Sequence, residues 1–72
     1  MKYRDLVRKI RDAAAEHDLG FHDTGQGKGS HEKWVCGQTP VIIPGHREIN
    51  EITAENICKR LEAELGKGWW RR

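Results

Sequence analysis

Apolar side chains recur at spacings of three and four over residues 3 to 17, which predicts an amphipathic opening helix. The residues that share its apolar face are Tyr3, Leu6, Val7, Ile10, Ala13, Ala14 and His17. Gly20 follows where a residue in the left-handed conformation commonly ends a helix. Arg4, Arg8 and Arg11 form a stripe of positive charge along the helix. This stripe is either a solvated face or, if it lies beside His31, a ridge that follows phosphate groups.

A second apolar stripe predicts a closing helix that ends at Gly66. Its members are Ala54, Ile57, Cys58, Leu61 and Leu65. Thr53 is the predicted N-cap, because a threonine hydroxyl can accept a hydrogen bond from a free N–H group of the first turn. Ile52 and Ile57 occupy the two positions of a hydrophobic staple.

Between the two helices, the pattern changes to three short strands. Phe21 begins the first strand, over about residues 20 to 24, as a core anchor. The second strand, residues 30 to 36, alternates, with His31, Lys33 and Val35 on one face. The third, residues 39 to 43, contains Val41, Ile42 and Ile43 as a predicted buried run, and Pro40 indicates either an edge position or one of the first residues of the strand. The predicted fold is therefore α+β, in the order α-β-β-β-α, with a three-stranded antiparallel sheet and both helices on one face.

Length and composition indicate one small domain, which we assign to residues 1–66, followed by a short C-terminal extension over residues 67–72. The two cysteines, Cys36 and Cys58, do not form the framework of a disulfide-rich secreted domain, and both are predicted to be small buried apolar residues. No apolar run is long enough for a signal peptide or a membrane span, so we expect a cytoplasmic protein. A chain of 72 residues has limited stability alone, and a homodimer or a hetero-oligomer is expected.

The stretch from Gly27 to Trp34 contains the most informative chemistry. A glycine-rich loop runs directly into a strand and presents His31 between Lys28 and Lys33. The unperturbed pKa of histidine lies near neutrality, so its ring can exchange a proton at working pH. Lysine supplies a compact positive charge for a phosphate. The combination is typical of a site that holds or cuts a ribose-phosphate backbone, although a strand histidine with no role is the alternative. The net charge of +2 permits nucleic-acid binding without requiring it.

Two neighbouring residues have alternative roles. Ser30 either positions a phosphate or serves the strand structurally. His46 is a second proton-transfer group if the end of the third strand folds back toward His31, and otherwise a solvated loop residue. Cysteines and histidines show no paired short spacing of the kind that binds zinc, so no metal site is predicted.

Several of these residues together resemble the HicA family of bacterial toxins, which are small RNA-cutting proteins. The resemblance rests on the opening helix, Gly20-Phe21, Lys28-Gly29-Ser30-His31 with Trp34 three residues on, Ile43-Pro44 with His46, Glu48-Ile49, and the closing helix with Ile57 and Leu61. It implies a fold like the double-stranded RNA-binding domain and a metal-independent endoribonuclease (mRNA interferase) without a cofactor. It also implies His31 as the catalytic histidine, Lys28, Gly29, Ser30 and Lys33 as RNA-binding residues, and a HicB-like antitoxin as partner.

Two other functions stay open. The first is a non-catalytic module that binds double-stranded RNA by shape. Such domains usually place lysines at the start of their second helix, where this chain has Thr53-Ala54-Glu55-Asn56. The second is a protein-binding partner with no RNA contact. Trp69 and Trp70 have three interpretations, which are covering the core, anchoring a partner protein, or stacking on RNA bases.

Overall fold

The opening helix of the computed structural model, which describes residues 1–71, is α1 at Tyr3–Glu16. It buries Leu6, Val7, Ile10 and Ala14, as the periodicity predicts. Its end differs from the prediction. Asp18, with φ of 56°, adopts the left-handed conformation, and the N–H of Leu19 donates to the carbonyl of Ala14 over 2.8 Å. This is a Schellman motif, so the helix ends before Gly20, and His17 lies exposed at its C-cap.

The sheet confirms the predicted fold class. Its strands are β1 at Phe21–Asp23, β2 at His31–Cys36 and β3 at Thr39–Pro44, in the spatial order β1-β2-β3. Both pairings are antiparallel. Phe21 is half-buried against the core, and its ring stacks on that of Trp34 with centroids 4.5 Å apart.

The two faces of the sheet follow the alternation of the sequence. Trp34, Cys36, Val41 and Ile43 point toward the helices and are buried, whereas His31 and Lys33 lie on the opposite, uncovered face. Ile42 pairs with Lys33 and is 49% exposed. The prediction that Ile42 is buried was therefore wrong, because neighbouring residues of one strand point to opposite faces.

Strand β3 is the edge that Pro40 indicated. The N–H of Gly45 donates to the carbonyl of Ser30, which extends the pairing one residue beyond β3. Because hydrogen-bonded pairs alternate along an antiparallel ladder, the odd-numbered residues of β3 are those that hydrogen-bond to β2. Pro40, Ile42 and Pro44 therefore direct their backbone groups away from the sheet. Because the two prolines have no N–H, this edge offers few donors to another strand.

The second helix, α2, spans Glu51–Arg60 and begins earlier than predicted. Asn50 is the N-cap, since its side-chain oxygen accepts from the N–H groups of Ile52 and Thr53. Thr53 is thus inside the helix, and the predicted staple is wrong because Ile52 is 73% exposed. None of the helices within residues 1–71 is both long and apolar enough to cross a membrane.

The predicted closing helix is interrupted at Leu61. A short helix, α3 at Glu62–Leu65, completes the apolar stripe and stops at Gly66, whose φ of 95° is accessible mainly to glycine. Cys58 on α2 and Cys36 on β2 are buried free thiols, as predicted. Burial raises the pKa of both thiols, that of Cys58 to about 11.

The extension packs on the core through a single 3₁₀ turn at Trp69–Arg71. Trp69 is buried, and its indole N–H donates to the carbonyl of Cys58 over 2.8 Å. Trp70 is half-buried, with the Arg71 guanidinium 5.2 Å from the centre of its ring. Of the three interpretations, covering the core applies to Trp69. Arg72, the last residue of the predicted extension, lies outside the described residues.

We expect Trp69→Ala to lower the free energy of unfolding by about 3–5 kcal/mol, because it leaves a cavity and removes the buried hydrogen bond from the indole N–H to the Cys58 carbonyl. Trp70→Ala removes a partly exposed ring and should cost clearly less. Urea unfolding of both variants, with Trp69→Phe as the milder change if the alanine variant does not fold, measures the difference. Trp70→Phe is the matching change at the neighbouring position. If Trp69→Phe and Trp70→Phe lowered the free energy of unfolding equally, Trp69 would not be a core residue.

Candidate functional site

A tight turn delivers His31 to the start of β2. The N–H of His31 donates to the carbonyl of Lys28 over 3.0 Å, which closes a turn with Gly29 and Ser30 at its centre. Gly29 has φ of 59°, the left-handed value that a type II′ turn requires at its first central position. The result is an exposed imidazole on the first residue of a strand whose remaining residues are anchored in the sheet.

Gly27 lets the loop pass directly over the beginning of β2. A Cβ at this position would overlap the carbonyl oxygen of His31 and lie 2.8 Å from the Cα of Glu32. The absence of a side chain at Gly27 is therefore required for packing of the loop against β2. Gly25 and Gly29, in contrast, have open space around them.

The end of β3 folds back beside the turn, which is the condition that we set for a role of His46. Nε2 of His46 lies 3.0 Å from Oγ of Ser30, and the Gly45–Ser30 backbone hydrogen bond holds the two segments together. His31 pairs with Pro44, the last residue of β3, and His46 follows two residues later in the chain. The two imidazoles are both exposed and belong to the same end of the sheet.

The two predicted lysines occupy different positions. Lys28 forms the bridge partner of His31 across the turn. Lys33 lies two residues along β2 on the face of His31, and it is half-buried. Its side chain lines a mainly apolar groove of about 490 Å³ between β3 and α2, together with Pro40, Val41, Ile42, Thr53, Asn56, Ile57 and Arg60.

A carboxylate network under the site was missed by the sequence analysis. Oε1 of Glu32 accepts hydrogen bonds from the Tyr3 hydroxyl at 2.5 Å and from the Trp34 indole N–H at 2.9 Å. Oε2 lies 3.0 Å from the position that a Cβ on Gly45 would take. Burial, and then the hydrogen bond to Glu32, raise the pKa of Tyr3 to about 12. The available signal was the alternation itself, which points Glu32 toward the core.

A group of cations was also missed. Lys2, Arg4 and Arg47 surround Tyr3 and line a cavity of about 140 Å³. Arg47 directly follows His46 in the chain, and Arg4 is the member of the predicted arginine stripe that lines the same cavity as Arg47. Arg47 gave no signal because it belongs to a polar connection without periodicity.

Metal ligands do not come together in this part of the chain. Among residues 1–71, no group of three His, Cys, Asp or Glu side chains could hold a metal ion. Proton transfer by imidazoles and charge stabilisation by lysines are the chemistry that the residues at this end offer.

Comparisons of the chain with protein-family models, curated proteins and solved structures found no match.

The Tyr3–Glu32 contact predicts a specific pH dependence. Because the folded protein holds the Tyr3 proton up to a pKa of about 12, the unfolded chain ionises first, near 10. The tyrosine contribution to stability is therefore complete below pH 10 and lost as the pH rises from 10 to 12. Tyr3 is the only tyrosine, so tyrosinate absorbance in native and urea-unfolded protein reports both midpoints. Coincident midpoints would contradict the contact.

Proposed function

We propose that this protein is the toxin of a bacterial toxin–antitoxin pair, an RNA-cutting enzyme of the HicA kind that acts on mRNA. The observation that supports the proposal most strongly is the contact between His46 and Ser30. It adds a second exposed imidazole to the end of the sheet that presents His31. Two exposed imidazoles at one end of the sheet, one of them between Lys28 and Lys33 in the sequence, are a suitable arrangement for general acid–base cleavage of a phosphodiester.

In the proposed reaction, the ribose 2′-hydroxyl is the internal nucleophile. One imidazole takes the hydroxyl proton as the 2′-oxygen forms a bond to phosphorus. The other imidazole gives a proton to the 5′-oxygen as its bond to phosphorus breaks. The products are a 2′,3′-cyclic phosphate and a free 5′-hydroxyl. His31 acts as base or as acid, and His46 takes the complementary role. No metal or cofactor takes part.

The other residues of the site position the His46 ring and the RNA, and stabilise charge on the phosphate. The Ser30 hydroxyl forms a hydrogen bond with Nε2 of His46, which leaves Nδ1 of that ring for the substrate. Lys28 and Lys33 stabilise charge on the non-bridging phosphate oxygens. Gly29 allows the turn to expose its backbone to the RNA, since it has φ of 59° and open space around it.

The partner in this proposal is a HicB-like antitoxin, and the compartment is the cytoplasm. The uncovered face of the sheet supports such a partner, because it combines His31 and Lys33 with the exposed side chain of Ile42. A protein that binds there covers apolar surface and blocks the imidazole at the same time.

The direct test compares wild-type protein with His31→Ala, His46→Ala and Ser30→Ala on a long RNA in the presence of a chelator. We expect wild-type cleavage to persist in chelator. Cleavage by the two histidine variants should fall by about 10²–10⁴-fold, because each loses one proton transfer. Ser30→Ala should lose less. His17→Ala, an exposed histidine at the far end of α1, is the matched control.

Far-UV circular dichroism and urea midpoints establish that the variants are folded, which we expect because both imidazoles are exposed. Full cleavage by His31→Ala would refute the assignment. Duplex RNA binding without any cleavage, unchanged in His31→Ala, would instead establish the non-catalytic module. In cells, expression of wild-type protein should arrest growth, and expression of His31→Ala should not.

A further inference from the structure

The cavity of Lys2, Arg4, Arg47 and Tyr3, which we call the basic cleft, is outside the residues that the proposed reaction uses. Three of its four lining residues are cations. Its volume of about 140 Å³ is close to that of cavities of about 150 Å³ that hold a benzene molecule, so a phosphate group fits within it.

The cations of the basic cleft form no ion pair with an acidic side chain of residues 1–71. Within residues 1–71, the ion pairs join the Met1 ammonium to Glu48 and Glu51, and Lys59 to Glu55. Of the carboxylates in the described part of the chain, none lies within 4.0 Å of the charged groups of Lys2, Arg4 or Arg47. Like charges around one cavity repel each other, and an anion between them relieves the repulsion.

The backbone segments that bear these cations are fixed to one another. The N–H of Tyr3 donates to the carbonyl of Arg47 over 3.0 Å, and Lys2 forms a β-bridge with Glu48. The hydroxyl of Tyr3 is held by Glu32. Little backbone ordering is therefore required when an anion binds.

The position of the cleft identifies the anion. Arg47 follows His46, so their Cα atoms are about 3.8 Å apart. An RNA strand bound at His46 therefore passes next to the backbone segment that carries Arg47. Guanidinium groups bind phosphate oxygens in pairs, with a geometry that lysine does not provide. We propose that the basic cleft is a second phosphate subsite, which binds an RNA backbone phosphate adjacent to the linkage that is cut. This inference rests on the proposed function for its RNA substrate.

The test measures binding of a 2′-O-methyl oligoribonucleotide, which cannot supply the internal nucleophile, by fluorescence anisotropy at several salt concentrations. Arg4→Gln/Arg47→Gln should bind about 10-fold more weakly, to a similar degree for different sequences. The slope of log K against log salt should fall by about 0.7, the value for one lost phosphate contact in a single strand. Lys59→Gln/Lys67→Gln removes the same charge elsewhere and is the matched control.

Equal affinity and equal salt slope for the two double variants would overturn the subsite, while cleavage by the wild-type protein would leave the proposed function in place. Weaker binding and a lower slope for Arg4→Gln/Arg47→Gln alone would support the subsite even if the wild-type protein did not cut RNA. Binding of polyglutamate to the same variants tests whether the cleft binds an acidic protein instead of RNA. If Arg4→Gln/Arg47→Gln lost polyglutamate binding but kept RNA binding, the cleft would belong to an acidic protein partner, and our inference would be wrong.

Discussion

The Glu32 carboxylate joins the three segments of chain that build this end of the molecule. One oxygen accepts hydrogen bonds from Tyr3 of α1 and from Trp34 of the sheet. The other lies beneath Gly45, where the absence of a side chain allows the chain to pass close by. Since Glu32 follows His31 in β2, its contacts on the core face fix the strand that presents His31 on the opposite face.

The candidate site depends on this arrangement in two ways. The close passage of Gly45 brings His46 to Ser30, and so places the second imidazole beside the turn that presents His31. The hydrogen bond of Tyr3 fixes the beginning of α1, and so places Lys2 and Arg4 next to Arg47. In a chain of 72 residues the core is small, and residues that stabilise the fold also position the functional groups.

Local patterns predicted the fold class and the location of His31 well. Helical periodicity identified the buried face of α1, and alternation grouped His31 and Lys33 on one face, which in the structure is the face without helices. The residues that begin and end the helices were less predictable, because several nearby residues could take each role. Asp18 replaced Gly20 as the left-handed residue, and Asn50 capped α2 in place of Thr53. In each case a second acceptable residue lay a few positions away, and only the tertiary packing selects between them.

The features of the candidate site that could not be predicted depend on contacts between residues far apart in the chain. Tyr3 and Glu32 are 29 residues apart, and Ser30 and His46 are 16 apart. No periodicity links such positions. The proximity of His46 to the turn could be stated only as a condition, and the grouping of Arg4 with Arg47 was not foreseen, because both depend on how the ends of α1 and β3 meet in the folded protein.

In the proposed reaction, the imidazoles of His31 and His46 contact the same RNA linkage. Solution NMR of the imidazole resonances, during titration with a 2′-O-methyl oligoribonucleotide, tests it most directly. We expect the resonances of His31 and His46 to shift together with one dissociation constant, while those of His17, at the other end of α1, stay unchanged. Unchanged His31 and His46 resonances, in a protein that binds the oligonucleotide, would contradict the account.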